Sequence, residues 1–452
     1  MLNFFGYYIR SFSVMRGIVD FLIIFLGGAF LYSFFGLAST GSTTPNEVSP
    51  FVLSLVTGIV TWVIIFAIGT YDLPRGFDWK NLTARLIAVF FIAVPLELAL
   101  WWAVGFVYLN SIFVPVITIA IQLCLFFIVR ILYAVILPNY ILQNRAIVIA
   151  PSHEVEEVKE ILLATGSPYK IAYVIPPENL NKHNNIDLAE ICKKYDASLV
   201  VVGHEKTMKL LKAFASCRFS NIRVMDINLL KEKLLGKVTL EKYYSYHVIF
   251  DKFFAVSLMG HIIKRSFDLV VATVILLLTL PITATVGMLI YLHDRHNIFY
   301  AQKRVGRAGQ VFACYKFRSM RVDAEQNGAV WAQENDDRVT PIGRFIRKTR
   351  IDEIPQCLNV LLGEMSIVGP RPERPEFVKD LSEKIPMYSE RHYVKPGLTG
   401  WAQINESYGA SVEDAERKLE YDLYYLKHYN IVLDVLILMK TLSVVLWPNG
   451  VR

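Results

Sequence analysis

Two adjacent carboxylates, Asp352 and Glu353, lie in a stretch of the sequence that is rich in arginine. From position 301 to position 375 the chain has thirteen Lys or Arg residues against nine Asp or Glu residues. Guanidinium groups on loops bind phosphate oxygens in pairs. A carboxylate beside a bound phosphate can hold a divalent cation or attack phosphorus. These residue types therefore predict chemistry on phosphate groups.

The two carboxylates lie where the sequence predicts the start of a helix. Pro355 is tolerated in the first turn, leucines follow at helical spacing, and Gly363 is suited to end the helix. A helix N-terminus favours negative charge, so we expect Asp352 to be ionised. An isolated Asp in this position is more often only an N-cap. The basic surroundings favour a catalytic or metal-binding role for Asp352 and Glu353 instead.

Eight basic residues are the candidates for binding phosphate or substrate. They are Lys303, Arg304, Arg307, Lys316, Arg318, Arg350, Arg371 and Arg374. Arg307 falls in a predicted turn between two strands, at about Ile298 to Lys303 and Val311 to Phe317. At the tip of that turn it could meet a diphosphate or a lipid head group.

A second basic group lies on a short predicted helix. One face of this helix is predicted to be apolar and to include Phe345, and the other face carries Arg347 and Lys348. A basic face suits contact with anionic lipid. We therefore assign Arg347 and Lys348 to lipid contact. Of the eight candidates for binding phosphate or substrate, we assign Arg371 and Arg374 to substrate.

The N-terminal part of the chain is strongly apolar. Hydrophobic residues make up 54% of the whole chain, which is high for a soluble protein. Four stretches each approach the roughly 20 apolar residues that a helix needs to cross a bilayer. They run from about Ile18 to Leu37, Phe51 to Ile68, Leu86 to Tyr108 and Phe113 to Leu137. We therefore predict four transmembrane helices. The first apolar stretch is too long for the core of a cleaved signal peptide.

The basic residues near these helices predict their orientation. Arg10 and Arg16 precede the first helix and Arg145 follows the fourth, whereas the loops at 39–50 and 110–111 contain no Lys or Arg. Because Lys and Arg are enriched on the cytoplasmic side, the N-terminus and everything after the fourth helix should be cytoplasmic. The five cysteines have no close spacing, which fits a reducing compartment and predicts no zinc site.

A fifth apolar run extends from Leu269 to Leu292, but we expect it not to cross the membrane. A full crossing would carry the arginine-rich part to the outside, and both flanks are basic, with Arg265 before the run and Arg295 after it. Pro281 lies at its centre, where it removes a backbone hydrogen bond. We predict a re-entrant hairpin at about residues 266–293 that breaks at Pro281. An ordinary proline-kinked transmembrane helix is the alternative.

Between the fourth helix and position 250, short apolar runs alternate with amphipathic stretches, which predicts a Rossmann-like α/β domain. The predicted strands lie at 146–149, 171–174, 199–202 and 222–226, and the predicted helices at 154–164, 187–194 and 205–214. The first strand is followed by Ala150-Pro-Ser-His153 rather than by a glycine-rich phosphate loop. We therefore expect a structural or regulatory domain rather than one that binds a dinucleotide.

The last apolar stretch, from Ile431 to Leu446, is interrupted by Asp434 and Lys440. It is short for a membrane crossing, so it predicts an interfacial helix. Trp401 and Trp447 suit either the head-group level of a bilayer or a protein core.

Several blocks of the C-terminal part resemble the bacterial sugar transferases, which are polyprenyl-phosphate glycosyl-1-phosphate transferases. The resemblance extends from about Lys264 to Trp447. Its blocks are Lys264-Arg-Ser-Phe-Asp268, Gln302-Lys-Arg-Val-Gly306, Tyr315-Lys-Phe-Arg-Ser-Met320, Asp352-Glu353, Val368-Gly-Pro-Arg-Pro372, Lys395-Pro-Gly-Leu-Thr-Gly-Trp-Ala-Gln-Ile-Asn405 and Glu420-Tyr-Asp-Leu-Tyr-Tyr425. The whole chain resembles the long members, which begin exopolysaccharide or O-antigen repeat units.

We therefore expect a membrane protein of the α/β class with three parts. Residues 1–138 should form the region of four transmembrane helices, and residues 139–250 the Rossmann-like cytoplasmic domain. Residues 251–452 should form a mixed, mostly helical catalytic domain that includes the re-entrant membrane hairpin. The resemblance implies a multi-pass protein of the bacterial inner membrane with its catalytic domain on the cytoplasmic face.

By resemblance, Asp352 is the nucleophile, and Glu353 helps to hold Mg²⁺ (or Mn²⁺) or handles a proton. The implied reaction transfers a sugar 1-phosphate from a UDP-sugar to a polyprenyl phosphate such as undecaprenyl phosphate, and it releases UMP. The expected partners are these two substrates and membrane lipids. A homodimer is an option, and we expect no nucleic acid.

Three alternatives stay open from the sequence. Direct displacement in a ternary complex could replace an aspartyl intermediate. A lipid-directed glycosyltransferase that moves the sugar alone would release UDP. A non-catalytic scaffold for polysaccharide assembly would release neither nucleotide. No residue identifies the sugar.

Overall fold

The structure is a computed structural model that describes residues 2–4, 7–9, 19–29, 50–67, 79–103, 113–140, 144–164, 167, 169–176, 188–203, 214, 216–217, 219–220, 222–240, 258–321, 324, 336–406, 409 and 411–446. The chain forms two compact units, Met1–Asn3 with Tyr8–Thr239, and Phe4–Tyr7 with Leu240–Arg452. Two short strands near the N-terminus, β1 (Leu2–Phe4) and β2 (Tyr7–Ile9), pair with each other.

Four helices form the first part of the first unit. They are α1 (Val19–Ala29), α2 (Pro50–Ala67), α3 (Trp79–Ala103) and α4 (Phe113–Tyr140). Each overlaps one of the four predicted apolar helices. Their buried side chains form one apolar cluster that includes Ile65, Val89 and Ile119. The ends of three predicted spans, at 18 and 30–37, at 68 and at 104–108, lie outside the described residues.

This bundle places polar side chains inside and large apolar side chains outside. Glu97 is fully buried and accepts a hydrogen bond from Thr61 Oγ1 at 2.7 Å. Gln122 Nε2 donates to the carbonyl of Ile24 at 2.9 Å. Phe91, by contrast, is 70% exposed. A soluble helical bundle has the opposite arrangement, so the outer surface of these helices is suited to lipid.

A parallel sheet of four strands follows, in the order β4-β3-β5-β6. The elements are β3 (Asn144–Ile149), α5 (Ser152–Ala164), β4 (Tyr169–Ile175), α6 (Leu188–Lys194), β5 (Ala197–Val202), β6 (Arg223–Asp226) and α7 (Ile227–Leu235). An apolar cluster covers each face of the sheet. The four predicted strands and their parallel pairing are confirmed. The predicted helix at 205–214 lies almost wholly outside the described residues.

A carboxylate fills the crevice after β3. Glu154, in the first turn of α5, is buried, and its Oε2 lies so close to Gly203 that any side chain at Gly203 would overlap it. In dinucleotide-binding folds the ligand phosphate lies at this helix N-terminus. The negative charge of Glu154 therefore disfavours a phosphate ligand at this position.

The second unit begins with a long helix, α8 (Leu258–Asp294), and an antiparallel hairpin of β7 (Phe299–Val305) and β8 (Val311–Phe317). A 3-10 helix, Arg307–Gly309, forms the predicted turn. The other elements are α9 (Pro341–Lys348), α10 (Gln356–Leu362), β9 (Ser366–Val368), α11 (Pro375–Lys384), β10 (Gly397–Thr399), α12 (Trp401–Asn405), α13 (Val412–Lys427) and α14 (Ile431–Leu446). Strands β9 and β10 are parallel.

Within the described part of the chain, α8 is the one helix that is long and apolar enough to cross a bilayer. Shorter apolar helical stretches lie at Val19–Ala29, Leu55–Ile65 and Val116–Val129.

The helical conformation of α8 continues through Pro281, so the predicted interruption of the helix is not present. Pro281 removes one backbone hydrogen bond, but nearby threonine hydroxyls bond to backbone carbonyls. Thr283 Oγ1 donates to the carbonyl of Leu280 at 3.0 Å, and Thr285 Oγ1 donates to that of Pro281 at 2.8 Å. These side-chain bonds help an apolar helix to tolerate a proline.

Both ends of α8 pack against other elements of the second unit, whereas its middle does not. Near the N-terminal end Asp268 is buried, and near the C-terminal end Val286 and Ile290 join an apolar cluster with Phe317. From Thr273 to Thr285 the side chains are exposed or half-buried, and Leu278 is 75% exposed. The two ends of α8 therefore contact one and the same body of protein.

Helix α14 is buried on one face only. Ile437 is fully buried and Val435 is 43% exposed, which is the pattern that an interfacial helix requires. Trp401 is buried and stacks on Tyr424, so the core alternative is correct for Trp401. Trp447 lies outside the described residues.

Candidate active site

The two candidate carboxylates lie in a tight turn between α9 and α10. Arg350 adopts the left-handed conformation, with φ of 59°, and a 3-10 helix, Ile351–Glu353, follows it and contacts β8. The predicted helix is therefore present but begins after the carboxylates, with Pro355 as its N-cap residue. Gly363 ends the helix as predicted, with φ of 89°.

Glu353 is buried and held by three cations. Its Oε1 accepts a hydrogen bond from Arg371 Nη2 at 2.7 Å and lies 3.4 Å from Lys316 Nζ. Its Oε2 lies 3.9 Å from Arg350 Nη1. Burial opposes the negative charge, but the cations outweigh burial and hold the pKa of Glu353 well below its usual range. Glu353 is thus a permanent anion that orders three of the predicted phosphate-binding residues.

Asp352 is also buried, but its Oδ1 has no hydrogen-bond partner among the described residues. Burial, followed by the charge of Glu353, raises the pKa of Asp352 to about 6. A helix N-terminus does not set this charge, because α10 begins only after Pro355. An unpartnered buried oxygen costs about 1–3 kcal/mol. This cost indicates that a group from outside the described residues completes the site.

Arg371 belongs to a segment, residues 368–373, whose backbone carbonyls are bound by neighbouring elements. Lys264 Nζ donates to the carbonyl of Val368 at 3.2 Å, and Tyr425 Oη donates to the same carbonyl at 3.0 Å. These bonds join the segment to α8 and α13. The family block around Arg371 is therefore held by parts of the chain that are far apart in sequence.

Two arginines bind the later carbonyls of this segment. Arg391 Nη2 donates to the carbonyl of Arg371 at 3.0 Å, and Arg304 Nη1 donates to that of Pro372 at 2.9 Å. Arg304 Nη1 also lies 3.3 Å from Glu373 Oε2. Arg304, which the sequence predicts to bind phosphate, instead directs its guanidinium group to this protein segment.

Arg391 is itself held by a buried acid. Asp422 Oδ2 lies 2.8 Å from Arg391 Nη2, and Tyr388 Oη accepts a hydrogen bond from Arg391 Nη1 at 2.6 Å. Burial raises the pKa of Asp422 to about 6, although Arg391 acts in the opposite direction. Sequence patterns do not identify this pair, because the two residues lie on different helices and form no local motif.

Two further predicted phosphate-binding residues make contacts elsewhere. Arg318 forms an ion pair with Asp294 at the C-terminal end of α8. Arg374 lies 3.7 Å from Glu376 at the start of α11, and its guanidinium group lies over the ring of Phe377. The contact of Arg318 joins β8 to α8, and the assignment of Arg374 to substrate stays a prediction.

The other predicted basic residues lie at the surface. Lys303 and Arg307 are exposed on the hairpin of β7 and β8. On α9, Arg347 is half-buried and Lys348 is exposed. Phe345, which is predicted to face inward, is 59% exposed, because this short helix buries a narrower stripe than predicted. An exposed ring between basic side chains is compatible with the predicted lipid contact.

Asn359 is a site residue that sequence patterns do not single out. It is fully buried in α10, where its Nδ2 donates to the carbonyl of Ala313 at 2.7 Å and its Oδ1 accepts from the amide of Tyr315 at 3.0 Å. These bonds fix α10 against the strand that carries Lys316. The sequence signal was an amide within the apolar stretch from Cys357 to Leu362.

Within the described ranges, no group of three or more His, Cys, Asp or Glu side chains is arranged to hold a metal ion. Mg²⁺ needs only one or two protein carboxylates when substrate phosphates supply the other ligands. Asp352 Oδ1 fits this requirement, because it is buried without a partner. Glu353 fits less well, because Arg371 and Lys316 already bind its Oε1.

A carboxylate pair among cations, on a unit with a long apolar helix, is the arrangement expected of a membrane-associated transferase that acts on phosphate groups. Residues 259–448 match the family described as bacterial sugar transferase. The chain is 40% identical over 195 residues to the uncharacterized sugar transferase EpsL of Bacillus subtilis (strain 168), which covers 42% of this chain and 91% of that protein. The chain therefore belongs to the bacterial sugar transferase family.

Two relatives carry more specific names. The chain is 40% identical over 238 residues to the UDP-N-acetylgalactosamine-undecaprenyl-phosphate N-acetylgalactosaminephosphotransferase of Aeromonas hydrophila, covering 53% of this chain and 56% of the relative. It is 40% identical over 185 residues to the UDP-glucose:undecaprenyl-phosphate glucose-1-phosphate transferase of Escherichia coli (strain K12), covering 40% of each protein. The chain thus spans about half the length of these relatives. Asp352 and Glu353 lie inside the family match.

Proposed function

We propose that this chain transfers a sugar 1-phosphate from a UDP-sugar to undecaprenyl phosphate and releases UMP. The main support is that Asp352 has a buried oxygen with no partner among the described residues. Its neighbour Glu353 is held by three cations. This pair offers a nucleophile beside groups that can neutralise a diphosphate. The names of the two relatives support the substrates, but they differ in the sugar, so the sugar is left open.

In the first proposed step, a carboxylate oxygen of Asp352 attacks the phosphorus that carries the sugar. A bond forms between this oxygen and phosphorus, the bond from that phosphorus to the UMP oxygen breaks, and UMP leaves with the electron pair. Arg371 and Lys316, which Glu353 orders, are placed to neutralise the phosphate oxygens.

In the second proposed step, an oxygen of the lipid phosphate attacks the same phosphorus. A diphosphate bond to the lipid forms, the bond to Asp352 breaks, and the carboxylate is regenerated. Each step exchanges one P–O bond for another. A direct displacement would combine both exchanges and would form no bond to Asp352.

We infer that Mg²⁺ or Mn²⁺ binds with the donor, held by Asp352, by Glu353 Oε2, which Arg350 approaches only to 3.9 Å, and by phosphate oxygens. The cation would supply further neutralisation of the diphosphate charge. Removal of divalent cations with EDTA should abolish turnover, and added Mg²⁺ should restore it.

We propose that α1 to α4 cross a bacterial inner membrane and that α8, which stays helical but bends at Pro281, enters and leaves it on the cytoplasmic side, with the second unit in the cytoplasm. The polar interior and apolar exterior of the bundle support the proposal that α1 to α4 cross the membrane. For α8, the burial of Asp268 and Ile290 at opposite ends against one unit supports re-entry. A straight crossing of a hydrocarbon core of about 30 Å would place these ends on opposite sides.

The first test measures the nucleotide that the full-length protein in purified membranes releases from a panel of UDP-sugars, with undecaprenyl phosphate and Mg²⁺. We expect UMP, at a rate that falls by about 10³-fold or more in Asp352→Asn, because the nucleophile is removed. Asp337→Asn is the matched control, since Asp337 is exposed. Release of UDP would instead support glycosyl transfer. No turnover by folded protein with any donor would support a scaffold.

A further inference from the structure

Three cations lie together near the end of α10, at the opposite end of this helix from Asp352. Arg265 Nη2 and Lys395 Nζ each lie 3.6 Å from the position that a side-chain carbon on Gly363 would take, so they are at most twice that distance apart. Arg307 lies on the turn that contacts the 3-10 helix Tyr388–Tyr393, which ends two residues before Lys395, and its charge helps to lower the pKa of Lys395. We call Arg265, Arg307 and Lys395 the cation cluster.

The cation cluster has no matching acid. Among the ion pairs of the described residues, none involves a member of this cluster. Asp268 acts on the charge of Lys395, but its Oδ1 is already bound by Lys264 at 3.3 Å and by Ser366 Oγ at 3.0 Å. The members of the cluster therefore repel one another, and Asp268, which Lys264 and Ser366 already bind, offsets this repulsion only in part.

Arg265 has hydrogen-bond acceptors within the protein, whereas Lys395 has none among the described residues. Arg265 Nη1 and Nη2 donate to the carbonyls of Val360 and Leu361, at 2.6 and 2.8 Å, which is a favourable position for a cation at a helix C-terminus. Lys395 makes no such bond among the described residues. Burial first, and Arg265 second, lower the pKa of Lys395. A half-buried, repelled ammonium group is suited to an anion from outside the chain.

The surroundings of the cation cluster are apolar and exposed. Ile262 and Ile263, which flank Arg265 on α8, are 52% and 47% exposed, and Leu362 at the end of α10 is 66% exposed. An anion bound at this cluster therefore lies beside surface that is suited to hydrocarbon chains. A soluble anion would leave this apolar surface in water, whereas the phosphate of a lipid would cover it.

We propose that the cation cluster binds the phosphate group of a lipid, at a site separate from Asp352 and Glu353. Helix α10 has seven residues and is therefore about 10 Å long, which keeps the two sites apart. Two lipids carry this chemistry at a membrane surface, the undecaprenyl phosphate acceptor and an anionic phospholipid. The choice of undecaprenyl phosphate as the bound lipid rests on the proposed function. Binding requires no turnover, so the site and the function can fail separately.

The test measures equilibrium binding of four lipids to the full-length protein in detergent, by native mass spectrometry. Each anionic lipid is compared with a lipid of no net charge: undecaprenyl phosphate with undecaprenol, and phosphatidylglycerol with phosphatidylcholine. The variants are Lys395→Gln, Lys395→Arg and Arg307→Gln. Lys159→Gln is the matched control, because Lys159 is an exposed lysine of the first unit. Thermal unfolding of each variant establishes that it is folded.

We expect at least one phosphate lipid to bind more tightly than its neutral partner, with about a tenfold loss in Lys395→Gln, a smaller loss in Arg307→Gln and recovery in Lys395→Arg. Loss for undecaprenyl phosphate alone would identify the acceptor as the occupant, and loss for phosphatidylglycerol alone would identify a membrane phospholipid. If Lys395→Gln binds both phosphate lipids as the wild type does, the proposed site does not exist.

Discussion

Asp352 and Glu353 are neighbours in sequence but have opposite electrostatic surroundings. Glu353 faces Arg371, Lys316 and Arg350 and stays ionised, whereas Asp352 is buried with an oxygen that no described residue binds. Pairs of acids whose environments separate their pKa values are typical of catalytic sites, because each acid can then take a different role. Here Glu353 organises the cations, and we propose that Asp352 reacts.

The raised pKa of Asp352 predicts how activity depends on pH. A carboxylate with a pKa of about 6 is protonated at lower pH and is then no nucleophile. We expect kcat/KM for UMP release to fall toward tenfold per pH unit below about pH 6, and to be flat from about pH 7 to about pH 8. Glu353 does not titrate in this range. A profile that stays flat down to about pH 5, in protein that remains folded, would contradict this role.

The same pKa predicts a stability change. The carboxyl of Asp352 has an ordinary pKa of 3.8 and a pKa of about 6 in the folded chain, so the folded state binds the proton more tightly. The stabilisation from this proton is present at low pH and is lost as the pH rises through about 6. At pH 7, Asp352→Asn should therefore stabilise the fold, by an amount on the order of 3 kcal/mol.

Thermal unfolding of wild type and Asp352→Asn in detergent, at about pH 7 and about pH 4, checks this expectation. The variant should unfold at a higher temperature at neutral pH, and the difference should shrink in acid. An equal or lower unfolding temperature at neutral pH would show that burial of the charge costs less than inferred.

At the scale of elements, the segment of residues 368–373 depends on its carbonyl groups. Pro370 and Pro372 have no backbone N–H, so this segment can be fixed mainly through the oxygens that it offers. Donors from β7, α8 and α13 bind these oxygens, together with Arg391. The position of Arg371 is therefore set by several elements at once, and none of them is adjacent in sequence.

Removal of Asp422 should disturb this segment. Asp422→Ala leaves Arg391 buried without its acid, which costs about 3 kcal/mol or more, and the carbonyl of Arg371 loses a firmly placed donor. We expect a lower unfolding temperature and a fall in kcat for UMP release with little change in the pH profile. Tyr388→Phe is the control, since it keeps the ion pair and loses one hydrogen bond worth about 1 kcal/mol. Equal effects of the two variants would argue against a special role for Asp422.

At the scale of the whole molecule, the course of α8 decides where the active site lies relative to the membrane. Both ends of this helix pack on other elements of the second unit, although α8 is the one described helix that is long and apolar enough to cross a bilayer. A helix that enters and leaves on one side keeps Lys264, which binds the carbonyl of Val368, on the same side as the carboxylates.

Cysteine labelling tests this course. His261 and His296 are exposed residues near the two ends of α8, and Cys124 is the exposed natural cysteine. In a Cys124→Ser background, His261→Cys and His296→Cys should both react with a membrane-impermeant maleimide in inside-out vesicles, and neither should react in intact spheroplasts. Labelling of the two positions from opposite sides would mean that α8 crosses the membrane.

The sequence by itself determined the features that depend on neighbouring residues. Apolar runs located four helices and the strands of the parallel sheet, because these patterns reflect local periodicity and burial. Turn residues located the hairpin of β7 and β8 and the end of α10 at Gly363. Adjacent acids among arginines located the candidate site, because Asp352 and Glu353 are side by side in the chain.

Only the tertiary structure decided which charges meet. Eight basic residues looked equivalent in the sequence, yet Glu353 gathers Lys316, Arg350 and Arg371, while Arg304 turns toward a backbone segment. The raised pKa of Asp352 also depends on packing, because burial is the largest cause. Pairing of charges and loss of water are set by residues far apart in the chain, and no local pattern records them.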